Sequence, residues 1–241
     1  MRDGKQTQGM QKCLWLACAV FCLFFSSGEK NVIAGEYTGE KIIYNIAPVG
    51  RAEYNDLGEV NVDGQRLNCV TFRTQVMGFD DTETIYSDPQ THLPVKVERD
   101  VKKWVAREDL VEWYDQKNFE LSIDKFKDNK KVKHYAFKSD APIQNAILLP
   151  FYIRTVDDLQ IGWEIKARIP DEFTIRLASF EEIKVPAGKF MAYHFTSTPD
   201  KFEIWISKDD LRLPIKIKGL GSMDYAMIMK KHVLPHSDDG H

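Results

Sequence analysis

Along most of the chain the apolar positions recur at every second residue. Phe119, Leu121 and Ile123 alternate with Glu120, Ser122 and Asp124. Phe173, Ile175 and Leu177 alternate with Thr174, Arg176 and Ala178, and Phe202, Ile204 and Ile206 alternate with Glu203, Trp205 and Ser207. A period of two turns successive side chains to opposite faces, so each stretch predicts a β-strand with one apolar and one more polar face. Turn residues separate the strands at short intervals: Asp63-Gly64, Ser87-Asp88-Pro89, Asp128-Asn129, Pro186-Ala187-Gly188 and Gly219-Leu220-Gly221. The expected fold class is all-β, with about a dozen antiparallel strands forming a curved sheet, a barrel or a half-barrel.

Two stretches are near copies of each other. HLPVKVER occupies residues 92–99 and RLPIKIKG residues 212–219, each following an aromatic residue, a serine and a short acidic turn. Proline suits the first residue of a strand, and the residue before it is pushed to extended geometry. Val95/Val97 and Ile215/Ile217 then face one way, while Lys96/Glu98 and Lys216/Lys218 face the other. The repetition extends upstream and downstream, which predicts two related meanders, residues 36–138 and 160–232, with an extra hairpin at 118–138. Residues 139–156 join them and break the period of two. Ser139 or Asp140 there is a suitable cap, Pro142 is tolerated in a first turn, and Pro150 stops or kinks the segment. A short helix over about 140–149 is expected between the halves, either covered by the sheet or lying across an opening.

The ends read differently from the middle. Arg2, Lys5 and Lys12 precede an uncharged apolar run, Cys13 to Phe25, followed by Ser26-Ser27-Gly28. A basic start, a short apolar run and small residues describe a secretory signal peptide, here residues 1–34, with an uncleaved N-terminal anchor as the alternative. The run is shorter than the roughly 20 residues a membrane span needs, so no stable transmembrane span is expected once it is removed. Its removal moves the net charge from −3 to −5 and leaves a single domain, residues 35–232, with a flexible tail at 233–241. Such an acidic chain is a poor partner for nucleic acid or anionic lipid headgroups. Three of the four cysteines fall in the leader. Cys69 is left alone in an alternating pattern, where a buried, inert thiol is expected. Periplasmic localisation follows from the leader.

Several short motifs together resemble a known family. They are Gly39-Glu40-Lys41-x-x-Tyr44, Asp88-x-x-Thr91-x-Leu93-Pro94, Tyr152-x-Arg154-Thr155, Val185-Pro186-Ala187-Gly188-Lys189-Phe190, and Trp205-x-Ser207 through Leu213-Pro214. In that order they resemble a bacterial exported family catalogued as domain of unknown function 3108, over roughly residues 36–232. The resemblance implies a periplasmic, β-rich, non-enzymatic protein of unassigned role. At the level of fold there is a looser similarity to periplasmic lipoprotein carriers, whose curved sheet and helical lid hold acyl chains. Pro150 departs from the unbroken helix that the family pattern places before its tyrosine–arginine element.

Strong catalytic and metal signatures are absent: there is no Gly-x-Ser-x-Gly, His-Glu-x-x-His, phosphate loop or Cys-x-x-Cys. No catalytic residue, metal site or cofactor is therefore predicted. Asp80-Asp81 with Glu83, and Asp157-Asp158, read as solvated turns, since adjacent carboxylates in a strand point to opposite faces. His134 and His194 sit in strands, while His232, His236 and His241 are assigned to the tail. Arg154 either meets an anionic ligand group at a cavity mouth or serves structure, capping helix carbonyls or bridging to Asp157 or Asp158. The expected function is binding of an apolar or lipid-like ligand in a sheet cavity. The candidate ligand residues are Ile147, Leu148, Phe151, Arg154, Trp163 and Trp205. An envelope protein scaffold with a packed core is the alternative, and an envelope hydrolase pairing His134 or His194 with Asp80 or Asp81 is a third.

Overall fold

The computed structural model describes residues 37–221 and 225–234. The expected leader and the tail beyond residue 234 lie outside the described residues. In chain order the strands are β1 (Lys41–Ala47), β2 (Gly50–Val62), β3 (Gln65–Val76), β4 (Phe79–Ser87), β5 (Pro94–Lys103), β6 (Ala106–Asp115), β7 (Glu120–Lys127) and β8 (Lys130–Lys138). After a single helix, α1 (Leu149–Ile153), come β9 (Glu164–Ile169), β10 (Asp171–Val185), β11 (Gly188–Thr198), β12 (Phe202–Ser207), β13 (Pro214–Gly219) and β14 (Tyr225–Val233). All 14 belong to one antiparallel sheet, ordered β8-β7-β6-β5-β4-β3-β2-β1-β14-β13-β12-β11-β10-β9. The first and last strands of the chain therefore meet in the middle of the sheet, and two meanders run outward from them.

The predicted turns are where the chain reverses. Asp63 and Gly64 at the β2–β3 tip have φ of 52° and 84°, and Asp128 and Asn129 at the β7–β8 tip have 51° and 60°. Two-residue tips with both φ positive match the right-handed twist of the strands. The two Leu-Pro turns also share a construction. Each has a left-handed residue two before its proline, His92 at 57° and Arg212 at 45°. In each, an aspartate side chain ties the turn: Asp88 Oδ1 accepts from the Gln90 and Thr91 N–H groups, and Asp209 Oδ1 from those of Leu211 and Arg212. A distant side chain then satisfies each proline carbonyl. Gln116 Nε2 donates to Pro94 O at 2.8 Å and Tyr44 Oη to Pro214 O at 2.9 Å.

The sheet is curved and open, not a closed barrel. β8 and β9 are its free edges. β8 is exposed along its whole length and carries Lys130, Lys131, Lys133 and Lys138, which resist the addition of a further strand. What spans the interval between the edges is residues 139–163, which run from one to the other. Ile143 donates its N–H to Gln116 Oε1 at 2.9 Å and receives Gln116 Nε2 on its carbonyl at 2.8 Å. Gln144 donates its N–H to Arg168 O on β9 at 2.8 Å, and Arg168 returns its own N–H to Gln144 Oε1 at 2.6 Å. Two glutamine side chains thus act as substitutes for a β-ladder.

These bonds correct the helix expected over 140–149. The backbone around residues 143–144 donates and accepts outward, so it is not helical. Asn145 Oδ1 then caps the following turn by accepting from Ile147 N–H at 2.8 Å and Leu148 N–H at 3.2 Å. Helix α1 begins only after that, and Pro150 stands in its first turn instead of ending it.

Two apolar clusters fill the fold. One joins β1–β7, β13 and β14 through Ile42, Tyr44, Tyr54, Ile85, Val97 and Met229, with Ile143 and Leu148 of the crossing segment against them. The other packs β9–β12 around Leu177, Phe195 and Ile204, with Leu149 and Ile153 of α1. Cys69 is buried and free, and burial pushes its thiol above the ordinary range, as expected of an inert side chain.

Candidate ligand site between the sheet and the crossing segment

A partly open cavity of about 390 Å³ lies where the crossing segment passes over the middle of the sheet. Ala146, Ile147 and Phe151 form its wall on the segment side. Tyr44 and Ile46 of β1, Phe72, Thr74 and Val76 of β3, Ile217 of β13 and Tyr225 and Met227 of β14 form the wall on the sheet side. Phe151 is held in place by stacking on Tyr54, with ring centroids 3.8 Å apart and planes at 12°. The lining residues are apolar apart from Thr74, Tyr44, Tyr225 and one acidic residue, Glu83 on β4. Its volume falls in the range of small-molecule sites.

Glu83 belongs to a buried cluster of charge. β4 places Asp81 and Glu83 on one face because they are two residues apart, and Arg99 of β5 is the direct cross-strand partner of Glu83. Arg99 binds Asp81 through Nη2, with the same nitrogen 3.5 Å from Glu83 Oε1 and Nη1 3.6 Å from Glu112 Oε1. Tyr114 donates its hydroxyl to Glu112 Oε2 at 2.7 Å. Three carboxyls therefore share one guanidinium. Burial, opposed by Arg99 and reinforced by Asp81 and Glu112, pushes the Glu83 carboxyl up to about 7. Asp81 is 3 % exposed, and its Oδ1 has no hydrogen-bond partner. Asp80 points to the other face and pairs with Arg73, with Nη2 to Oδ2 at 2.6 Å. The solvated turn expected for Asp80, Asp81 and Glu83 is thus a strand that divides them. Asp157 and Asp158 are exposed, as a solvated turn requires.

Arg154 does not face this cavity. Its Nη1 and Nη2 donate to Glu40 Oε2 and Oε1 at 2.6 and 2.9 Å, and its Nε donates to Leu211 O at 3.1 Å. Its guanidinium carbon lies 3.7 Å from the centre of the Tyr37 ring. His232 Nε2 sits 2.8 Å from Glu40 Oε1. Glu40 is 0 % and Arg154 4 % exposed. Burial works to raise the Glu40 carboxyl, but hydrogen bonds and charge from His232 and Arg154 outweigh it and hold the group below the ordinary range. The partner of Arg154 is therefore neither Asp157 nor Asp158 but a residue 114 positions earlier. His232 is a strand residue of β14 and not part of a tail. Nearby, the Arg212 guanidinium donates to Val156 O and His92 lies against Tyr152, so both Leu-Pro turns hold the segment that carries α1.

The other sequence-predicted residues are scattered. Leu148 is buried and lines a separate cavity of about 330 Å³, with His92 and Leu93 of the first Leu-Pro turn and Arg168 of β9. Trp163 packs edge-on against Phe195. Trp205 stacks face to face on His194 at 4.4 Å, lies under Lys216 and donates its Nε1 to Glu181. Only Ile147 and Phe151 of the six line the 390 Å³ cavity. His134 pairs with Asp124, and His194 lies 3.3 Å from both Ser179 Oγ and Glu203 Oε1, so neither reaches Asp80 or Asp81. Ser179 and Trp205 are the direct cross-strand neighbours of His194, and ordinary cross-strand pairing on the face opposite Phe195 accounts for the row. Among the described residues no group of three or more histidine, cysteine, aspartate or glutamate side chains is placed to hold a metal ion.

Residues 41–227, which include the whole sheet from β1 into β14, match the family described as "Protein of unknown function (DUF3108)". The chain belongs to this family. No curated protein matches it, and no solved structure does. Within this DUF3108 chain, the Glu40 end of the Arg154 pair lies one residue before the matched region, and Arg154, Glu83 and both Leu-Pro turns lie inside it. Among the described residues no helix is long and apolar enough to cross a membrane.

Proposed function

We propose that this protein is exported to the periplasm and binds, without chemical conversion, an apolar ligand in the cleft between the sheet and the crossing segment. The observation that carries the reading is the 390 Å³ cavity, whose walls come from both meanders and from Ile147 and Phe151. The leader-like N-terminus supports export.

The chemistry of the polar end narrows the ligand. Arg154 is consumed by Glu40, and the charged group nearest the apolar walls is a carboxyl within a cluster of three that share one arginine. A free carboxylate or phosphate there would meet like charge in a poorly solvated place. An alcohol, amide or amine head would instead donate a hydrogen bond to Glu83. The ligand class is accordingly a long apolar chain or ring system with an uncharged or cationic donor head.

Native mass spectrometry of the protein taken from its own envelope, with uptake of fluorescent long-chain alcohol, amine and acid probes, tests this. The expected result is a bound mass, uptake of the alcohol and amine, weak uptake of the acid at pH 8, and loss of uptake in Ala146→Trp. A ligand-free mass together with no uptake of any probe would overturn the reading.

A further inference from the structure

In an antiparallel meander, alternate hairpin tips gather at one end of the sheet. At the end where β1 runs into β2, four neighbouring tips stand in sequence: Pro48-Val49, Met77-Gly78, Trp104-Val105 and Asp128-Asn129. Tips of this kind ordinarily carry glycine, asparagine, aspartate or serine, as the β2–β3 and β7–β8 tips do. Three of these four instead expose large apolar side chains. Val49 is 63 %, Met77 77 %, Trp104 77 % and Val105 97 % exposed. They form one surface, since the three tips adjoin around a shared shallow groove, and the Trp104 ring lies over Gly78. A Cβ at Gly78 would stand 1.4 Å from Trp104 Nε1, so the glycine is what lets the indole rest there.

Beside this apolar surface the charge is basic. Lys102, Lys103 and Arg107 flank Trp104-Val105 with no acidic residue between them, and residues 125–133 around the fourth tip hold five lysines against one aspartate. Most of these cations are paired, Lys102 and Arg107 with Asp100, Lys103 and Lys125 with Glu108 and Lys131 with Asp124, while Lys127 and Lys130 make no ion pair among the described residues. Arg51 behind the first tip pairs with Glu53, and Asp80 behind the second with Arg73. The net charge of the whole chain argued against anionic headgroups. Its distribution leaves room for them, because Lys127 and Lys130 stand beside the apolar tips with no ion pair among the described residues.

We propose that this rim seats on the surface of an anionic lipid bilayer. Val49, Met77, Trp104 and Val105 enter the headgroup region, and the lysines of the β5–β6 and β7–β8 tips lie against the phosphates. An apolar group with an indole at its edge, flanked by basic residues, is the pattern that partitions into the interface without crossing it. The cleft continues into the rim: Ile46 and Val76 line it, and Val76 directly precedes Met77. The proposal goes beyond the ligand-binding reading and does not depend on the cleft being occupied.

Flotation of the purified full chain with vesicles of phosphatidylethanolamine and phosphatidylglycerol (3:1), against phosphatidylcholine alone, tests it. Binding is expected only to the anionic vesicles and is expected to weaken as salt is raised. Trp104→Ser with Val105→Ser should weaken it at least tenfold. Lys127→Glu with Lys130→Glu should weaken it and flatten the salt dependence. Met77→Ser is a substitute for the first pair should that pair unfold, as judged by circular dichroism. Ala146→Trp should leave vesicle binding unchanged while abolishing probe uptake, which separates failure of the rim from failure of the cleft. Binding unaffected by every rim variant would assign the contact to the apolar run Cys13–Phe25 and overturn the proposal, as would equal binding to both vesicles or to neither.

Discussion

Two arginines, Arg154 buried and Arg99 half-buried, organise the interior, and they are balanced in opposite ways. Arg154 meets one carboxylate, Glu40, in a bidentate pair; His232 takes part of the same carboxylate and a backbone carbonyl takes the Nε donor. Arg99 is set among Asp81, Glu83 and Glu112, and the cluster leaves Asp81 Oδ1 and Arg99 Nε without partners. The first arrangement joins the start of β1, α1 and the second Leu-Pro turn, and its two charges are matched one to one in the interior. The second is short of positive charge and leaves one donor and one acceptor unmatched, and its Glu83 borders the cleft. A closed pair marks a joint; the unbalanced group beside the apolar cavity is the one that the proposed ligand would meet.

The largest effect expected from breaking this comparison is Arg154→Ala. It strands Glu40 in the interior and should cost about 4 kcal/mol in urea unfolding. Arg154→Met with Glu40→Leu, which removes both charges, should recover much of that loss. Arg99→Ala comes next. It removes the only cation that the described residues place among the three carboxyls and should cost about 3 kcal/mol at pH 8, with recovery at pH 5 as Glu83 takes up a proton. An equal loss at both pH values would contradict the unbalanced reading.

Glu83→Gln should do the reverse and stabilise. The folded-state value of Glu83 lies above that of the unfolded chain, so the folded protein holds this proton more tightly. The associated stability is complete below about 4.5 and is lost as pH rises through about 7. Glutamine removes that loss, so a gain on the order of 2 kcal/mol is expected at pH 8 and none at pH 4. Glu40 runs the other way. Its folded-state value is lowered, so its contribution is present above the unfolded carboxylate range and disappears as pH falls below it. Thermal unfolding followed across pH should therefore lose stability on the acid side in the native chain, and the loss on the alkaline side should vanish in Glu83→Gln. The smallest effect is Gln144→Ala, which leaves one β9 N–H unpaired near solvent and should cost about 1 kcal/mol.

How much of this was legible in the sequence follows from the range of each signal. The period of two is local, and so are the turn residues at Asp63-Gly64 and Asp128-Asn129; strands and reversals could be read directly. The same period contained a signal that adjacent pairing obscured. Asp80 and Asp81 diverge, yet Asp81 and Glu83 share a face two residues apart, and that face also carries Ile85. Residues 139–149 misled because their capping and proline signals suit a helix, whereas Gln116 and Arg168, remote in sequence, supply the bonds that keep residues 143–144 out of a helix. Arg154 was visible as a singular charge and Glu40 as part of a motif, but nothing local couples residues 114 positions apart. Closure of the sheet was likewise undecidable from periodicity, because open and closed sheets alternate alike.

The crossing segment has a mechanical consequence. The chain leaves one free edge of the sheet at β8 and regains it at the other at β9, so residues 139–163 are strung between the two ends of a curved body like a cord across a bow. A bow whose cord is tied at Gln116, Arg168, Leu211 and Glu40 keeps its bend without its limbs touching, which is how a sheet can stay curved and open with neither edge paired. Its limbs can part no further than the cord's slack permits.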